Sequence, residues 1–238
     1  MSTYERKFWW SIRILMSFTI CILIVTTSVR LVAGSNLIYE TLFKRHGVAN
    51  ITGISPIELS DIAEQVQQYV GGKKKELNLE AYVYGEKTEL FTISEKSHMQ
   101  DVQQLFMHTY QIQMYSFWAL LLVLAIASIK LQKRLFREVK LWFQFGSLLC
   151  SVVIIGLGLA SLVIFSQLFE LFHMVGFPQG NYKFNSNTSF LVQLFPLGFW
   201  RDITLIIGVI SVLKSASVLL MIYFLRKYFT EKSYTRLV

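Results

Sequence analysis

The sequence predicts a mainly α-helical membrane protein with four transmembrane helices. A small α+β extracytoplasmic domain is expected between spans one and two, and a structured outer loop between spans three and four. Three observations lead there. The 238 residues are 53% hydrophobic with a mean hydropathy of +0.46, more apolar than an ordinary soluble domain. The excess is concentrated in four runs, each near the ~20 residues a helix needs to cross a bilayer. The basic residues behind the net charge of +8 flank those runs. There they act as topology signals and contacts for anionic lipid, so membrane lipid is an expected partner and nucleic acid is not.

The spans read as 9–33, 114–130, 141–168 and 203–225. Backbone N–H and C=O groups find no water in lipid, which makes helices of these runs. The first run has a basic start and ends in Leu31-Val32-Ala33-Gly34-Ser35, like a lipoprotein signal box with serine in place of the lipidated cysteine. Its length favours retention, giving an N-terminus plus first span over 1–33. The short loop 131–140 holds Lys133, Arg134, Arg137 and Lys140, with Lys130 at its edge. The tail 226–238 holds Arg226, Lys227, Lys232 and Arg236, and the N-terminus holds Arg6 and Lys7. The positive-inside rule puts these three segments, and therefore both termini, in the cytoplasm. Segments 34–113 and 169–202 then face outward.

Within 34–113, Ser55-Pro56-Ile57-Glu58 is a capping box with proline at the first helical position. Leu59, Ile62, Ala63, Val66, Tyr69 and Val70 follow at helical spacing, and Gly71-Gly72 ends the helix. Alternation through Leu77, Leu79, Ala81 and Val83, then Leu90, predicts two short strands around Gly85-Glu86. Ser94 is placed to cap another helix, on which Glu95, His98 and Asp101 fall near one face. A straight helix from there into the second span would hold His98 roughly 24 Å from Met114 along the axis. A catalytic His98 therefore calls for a bend, a break or a flat-lying helix before Met114. In 169–202, Pro178 and Gly180 predict a structured loop, and the apolar, aromatic stretch 192–200 reads as a segment lying at the membrane interface.

Catalytic signatures of the common kinds are missing: no Gly-x-Ser-x-Gly elbow, phosphate loop or paired-cysteine metal site occurs. Cys21 and Cys150 lie inside apolar runs and are not expected to pair. Of four histidines, His46 reads as interfacial charge beside Lys44-Arg45, and His108 as solvated or packed. His98 and His173 remain, one on each outer segment. Two imidazoles can serve as base and acid for acyl transfer without a protein nucleophile. With Glu95 and Asp101 they could instead hold zinc, the reading of a metal-dependent lipid esterase. A non-enzymatic four-span scaffold is the other alternative. Lys214 lies mid-span without an acidic partner in any span, so it either snorkels or meets substrate in a polar cavity. Arg13 and Arg30, near the two ends of span one, can snorkel, and Arg30 could polarise an ester carbonyl.

Three segments carry a resemblance when taken together: SHMQDVQQLF, FELFHMVGFPQGNYKF and LVQLFPLGFW. With the span plan and the Ser55-to-Tyr69 helix, they make the chain resemble the bacterial lipoprotein intramolecular transacylase (Lit) family, over nearly its whole length. The resemblance implies catalytic His98 and His173, with Asp101 matching the family's aspartate. Tyr39 matches a tyrosine after the first span, and Tyr182 stands where the family has tryptophan. With Arg30, Phe177 and Lys214, these two are the expected substrate-binding residues. The implied reaction moves the sn-2 acyl chain of a diacylglyceryl-modified lipoprotein to the α-amine of its own N-terminal cysteine, giving the N-acyl, S-monoacylglyceryl (lyso) form. It needs no metal and no cofactor. The implied location is the bacterial cell membrane, with the active site on the extracytoplasmic face.

Overall fold

The computed structural model describes residues 3–234; Arg236, counted above among the tail's charges, lies outside them. The chain is mainly helical and divides into two compact units. One comprises residues up to Ser28, Ile112–Leu157 and residues from Ile207 on; the other comprises Val29–Gln111 and Gly158–Ile206.

Among the described residues, three stretches are long and apolar enough to cross a membrane: Thr3–Ala33, Ile93–Gly176 and Leu197–Lys227. The first is α1 (Thr3–Ala33). The second, 84 residues long, is two helices, α5 (Ile93–Leu131) and α6 (Leu135–Gly176), joined by a 3-10 turn at Gln132–Arg134. The last lies in α8 (Leu197–Tyr234). In the first unit, Met16, Ile20 and Ile24 recur every fourth residue and bury one stripe of α1 with Ala127, Trp142 and Cys150. Gly146 permits the approach: a Cβ there would sit 2.8 Å from the Ser17 carbonyl oxygen. Arg13 does not snorkel. Its Nε and Nη2 donate to the buried Glu138 carboxylate at 3.1 and 2.8 Å, a two-pronged pair that offsets the desolvation of both charges. Lys214 Nζ donates to Thr27 Oγ1 at 3.1 Å.

The second unit begins with two helices that the sequence did not announce, α2 (Asn36–Arg45) and α3 (Val48–Thr52). α4 (Pro56–Val70) follows the capping box: Ser55 Oγ accepts from the Glu58 N–H at 3.3 Å and donates to Glu58 Oε2 at 2.8 Å. Its buried residues are the six of the periodic run. Gly72, at φ +74, takes the left-handed turn after it. β1 (Glu80–Val83) and β2 (Glu86–Glu89) pair antiparallel, and the Leu90 N–H extends the ladder to the Leu79 carbonyl. The turn is Tyr84-Gly85, both at positive φ, one residue earlier than the sequence indicated; a two-residue hairpin of type I′ requires this conformation at both positions.

The stretch 192–200 is a correction. α7 (Phe190–Leu194) and the start of α8 bracket Pro196, and Leu194, Phe195 and Phe199 are buried. Phe195 and Phe199 form ring contacts with Tyr39 and Phe43 on α2, so their apolar surface packs inside the unit instead of lying on lipid. His46 is a second correction. Its Nε2 lies 3.0 Å from the buried Asp202 carboxylate, which Arg45 also reaches, and its ring lies against Gly198, where a Cβ would be 2.6 Å away.

Removing the α4 cap by Ser55→Ala is expected to cost about 1 kcal/mol, read as a lower thermal midpoint of the detergent-solubilised protein. Gly72→Ala should also lower it, since φ +74 is a left-handed backbone that strains an L side chain.

Candidate functional site

The site lies wholly within the second unit and begins with the cap of α5. Thr92, not Ser94, is the N-cap. The Glu95 N–H bonds Thr92 Oγ1 at 3.3 Å, and Glu95 Oε2 accepts from the Thr92 N–H and hydroxyl at 2.8 and 2.7 Å. This Thr-x-x-Glu box was present in the sequence and is the signal that would have found it. The other oxygen, Oε1, takes the Ser189 hydroxyl and the Leu191 N–H at the start of α7. One buried carboxylate thus secures two helix starts. Burial alone would raise its pKa, but hydrogen bonds from Ser189, Thr92 and Leu191 prevail and hold it below the usual carboxylate range. Both Glu95 oxygens are therefore engaged with partners other than His98.

One helical turn later, His98 packs against Phe177 at 4.7 Å and Phe184 at 5.7 Å between ring centroids. His173 enters from the C-terminal end of α6, beyond a non-helical residue at Ile164. The two imidazoles lie 6.1 Å apart, stacked at 21°. Phe169 and Tyr182 close on His173 at 4.2 and 5.1 Å. A cavity of about 160 Å³ is lined by His98, His173, Tyr39, Tyr182, Phe169 and Trp200, among others.

The nitrogens are distinguishable. His173 Nδ1 donates to the Phe169 carbonyl at 2.8 Å; a carbonyl only accepts, so Nδ1 carries hydrogen and Nε2 is the free nitrogen. His98 is buried, and burial, followed by repulsion from His173, pushes its pKa down to about 4, against opposing effects of Asp101 and Asn181. It is neutral at pH 7.

Asp101 does not reach His98 in the way its spacing suggested. Its Oδ2 accepts the side-chain amides of Gln179 and Asn181, both at 2.6 Å. These amides flank Gly180, whose N–H closes a turn on the Phe177 carbonyl at 3.0 Å with φ +78, a Pro-x-Gly turn of the expected kind. Gln179 and Asn181 went unnoticed in the sequence because amides in a loop carry no periodicity. Among the described residues no three His, Cys, Asp or Glu side chains gather as a metal would require. Tyr39 is buried on the cavity wall, and burial, with Tyr110 adding, raises its hydroxyl well above the usual tyrosine range. Arg30 stacks over Tyr110, its guanidinium 4.9 Å from the ring centroid. Lys214 belongs to the other unit.

The model of the family described as lipoprotein intramolecular transacylase Lit matches residues 14–200. The chain belongs to the Lit family. It is a membrane-integral protein of a bacterial family whose name is that of a transacylase. The fold is shared with solved structures of membrane-integral Lit from Bacillus cereus. One has a TM-score of 0.74 at 15% identity over 96% of this chain and 99% of that one. Two others, carrying a histidine substituted by arginine or by alanine, score 0.72 at 14% identity over 98% of this chain and 96% and 98% of theirs. An uncharacterized protein of Aquifex aeolicus (strain VF5) is 29% identical over 123 residues. The chain matches about half the length of that curated relative, 52%.

Two outcomes are expected from this geometry. Glu95→Gln places an amide nitrogen among donors and should destabilise by about 1–3 kcal/mol. Because the folded pKa of Glu95 is lowered, its stabilisation is complete at neutral pH and lost as pH falls through the folded value. The gap in thermal midpoint between wild type and Glu95→Gln should accordingly narrow in acid. A ¹⁵N NMR titration should find His98 neutral at pH 6 and charging only near pH 4.

Proposed function

We propose that this chain converts diacylglyceryl lipoproteins to the lyso form, by moving the sn-2 acyl chain to the α-amine of the same N-terminal cysteine. The observation that carries this reading is the stacked His98–His173 pair on an aromatic cavity, in a chain of the Lit family. The nucleophile and the ester belong to one molecule, so the enzyme need supply only positioning and proton transfer.

The amine nitrogen attacks the ester carbonyl carbon, and the carbonyl π pair moves onto oxygen. The nitrogen becomes strongly acidic as it bonds carbon, so even a weak base suffices. His98, kept neutral, takes that proton. The intermediate collapses, the carbon–oxygen bond to glycerol breaks, and the departing oxygen takes a proton from protonated His173. Transfer of the first proton from His98 to His173 restores the pair. The net change is one N–H proton delivered to a glycerol hydroxyl. Burial, followed by repulsion from His173, disfavours a proton on His98 and suits it to the base role, which leaves the acid role to His173. Tyr39, which retains its hydrogen, and Arg30 are the proposed partners of the ester oxygens, and Phe177 and Tyr182 shape the acyl side.

The membrane plan follows the charge pattern. Four crossings come from α1, α5, α6 and α8, with both termini cytoplasmic and the histidines on the outer face. The break expected in α5 is not there: the helix is continuous from Ile93 to Leu131. A lipid-anchored ester has another route to His98. On α6, Leu162, Val163, Leu171, Phe172, Met174 and Val175 are exposed, an apolar surface that continues past His173 and can hold acyl chains at its level.

Mass spectrometry of the N-terminal lipopeptide of a reporter lipoprotein tests the reading, in a host that makes only diacylglyceryl forms. Wild type should yield N-acyl, S-monoacylglyceryl peptide, and His98→Ala and His173→Ala should lower it by about 10²-fold or more with the protein still in the membrane. Full conversion by either variant sinks the assignment, and unchanged diacylglyceryl peptide with wild type favours the scaffold.

A further inference from the structure

We propose that Asn181 is a positioning residue: held by Asp101, it fixes His98 in the tautomer with hydrogen on Nδ1 and the lone pair on Nε2. The consequence for catalysis rests on the function proposed above; the tautomer itself does not.

The argument starts from what a primary amide can offer. Its nitrogen only donates and its oxygen only accepts. Asp101 Oδ2 takes the Asn181 Nδ2 at 2.6 Å, and a carboxylate accepts, so the amide nitrogen must be the end facing Asp101. Asn181 Oδ1 then points the other way. That oxygen is buried with no hydrogen-bond partner, and so is His98 Nδ1. Asn181 also acts on His98 directly, favouring the protonated ring against the effect of burial, as an acceptor beside a ring nitrogen does.

Two buried groups are thus left without partners, one an obligatory acceptor and the other a nitrogen that can accept or donate. With hydrogen on Nδ1 the two complement each other. With hydrogen on Nε2, two lone pairs confront each other away from water, and leaving both unpaired is the costly arrangement. Asp101 is the element that prevents escape, because turning the amide over would set Asn181 Oδ1 against a carboxylate. Gln179 donates to the same Asp101 oxygen, and the turn closed at Gly180 holds both amides on that side.

His173 has its Nδ1 hydrogen placed by a different device. Its Nδ1 hydrogen is held by the Phe169 carbonyl one turn back on its own helix. Both imidazoles therefore present Nε2, one set by local helix geometry and the other by a relay from a distant loop. In the proposed reaction, this makes His98 Nε2 an acceptor ready for the amine proton. The other tautomer would present a hydrogen there and block that step.

The test reads ring-nitrogen resonances of ¹⁵N-histidine-labelled protein in nanodiscs, without substrate, alongside lyso-lipopeptide formation by the same preparations. In wild type at neutral pH, His98 should carry hydrogen on Nδ1. Asp101→Asn lets the Asn181 amide turn over and should shift His98 toward the Nε2-protonated form. Asn181→Ala should also release the preference, while Asn181→Ser, whose hydroxyl can donate to Asp101 and accept from Nδ1, should keep it. His173 should stay Nδ1-protonated throughout, which serves as the folding control. Lyso-peptide formation should fall about 10–100-fold in Asp101→Asn and Asn181→Ala, the usual scale for a group orienting a working histidine, with partial recovery in Asn181→Ser. An Nε2-protonated His98 in wild type overturns the proposal, as does an Nδ1-protonated His98 unchanged in both Asp101→Asn and Asn181→Ala. A wild type with the expected tautomer and no lyso product would count against the proposed function and leave the tautomer assignment standing.

Discussion

The buried carboxylate of Glu95 is the constraint on which the candidate site depends. One oxygen closes the capping box of α5 and the other takes the hydroxyl and N–H at the start of α7. Helix starts leave N–H groups without partners, and here a single anion answers two of them. A charge in this position would be costly alone, but its hydrogen bonds outweigh the desolvation. The join fixes where α5 begins, and hence where His98 stands one turn later. It also anchors the end of the loop that began at Phe177, whose amides reach back to Asp101.

Around that anchor, the two histidines occupy unequal environments. His98 is buried among Phe177 and Phe184, whereas His173 retains partial exposure and a backbone carbonyl on Nδ1. Pairs of like titratable groups pushed apart by their surroundings are how acid and base roles become separated at one pH. The carboxylates that the sequence aligned with His98 are both engaged elsewhere, Glu95 with two helix starts and Asp101 with two loop amides. A zinc reading needs them free, whereas the acid–base reading does not.

Much of the fold was legible because it is periodic or chemically punctuated. The apolar runs, the Ser55 capping box, the six buried residues of α4 and the glycine turns follow from local rules that act within a few residues. α2 was missed because its mixed, short pattern does not differ enough from a loop. The stretch 192–200 was assigned to the interface because a sequence of apolar and aromatic residues looks alike whether it faces lipid or a protein core. Only the presence of Tyr39 and Phe43 opposite Phe195 and Phe199 tells the two apart.

Membrane class, the family resemblance and the two candidate histidines were legible along the chain, since apolar length, basic flanks and short motifs are properties of contiguous residues. The surroundings of those histidines come instead from contacts between distant segments. The His98–His173 stacking joins residues 75 positions apart, and Asp101 meets Asn181 across 80. Burial, mutual repulsion and the direction of an amide are relations between segments, and no spacing along the chain encodes them. Chemistry at the site therefore depends on how α5, α6 and the loop after Phe177 converge.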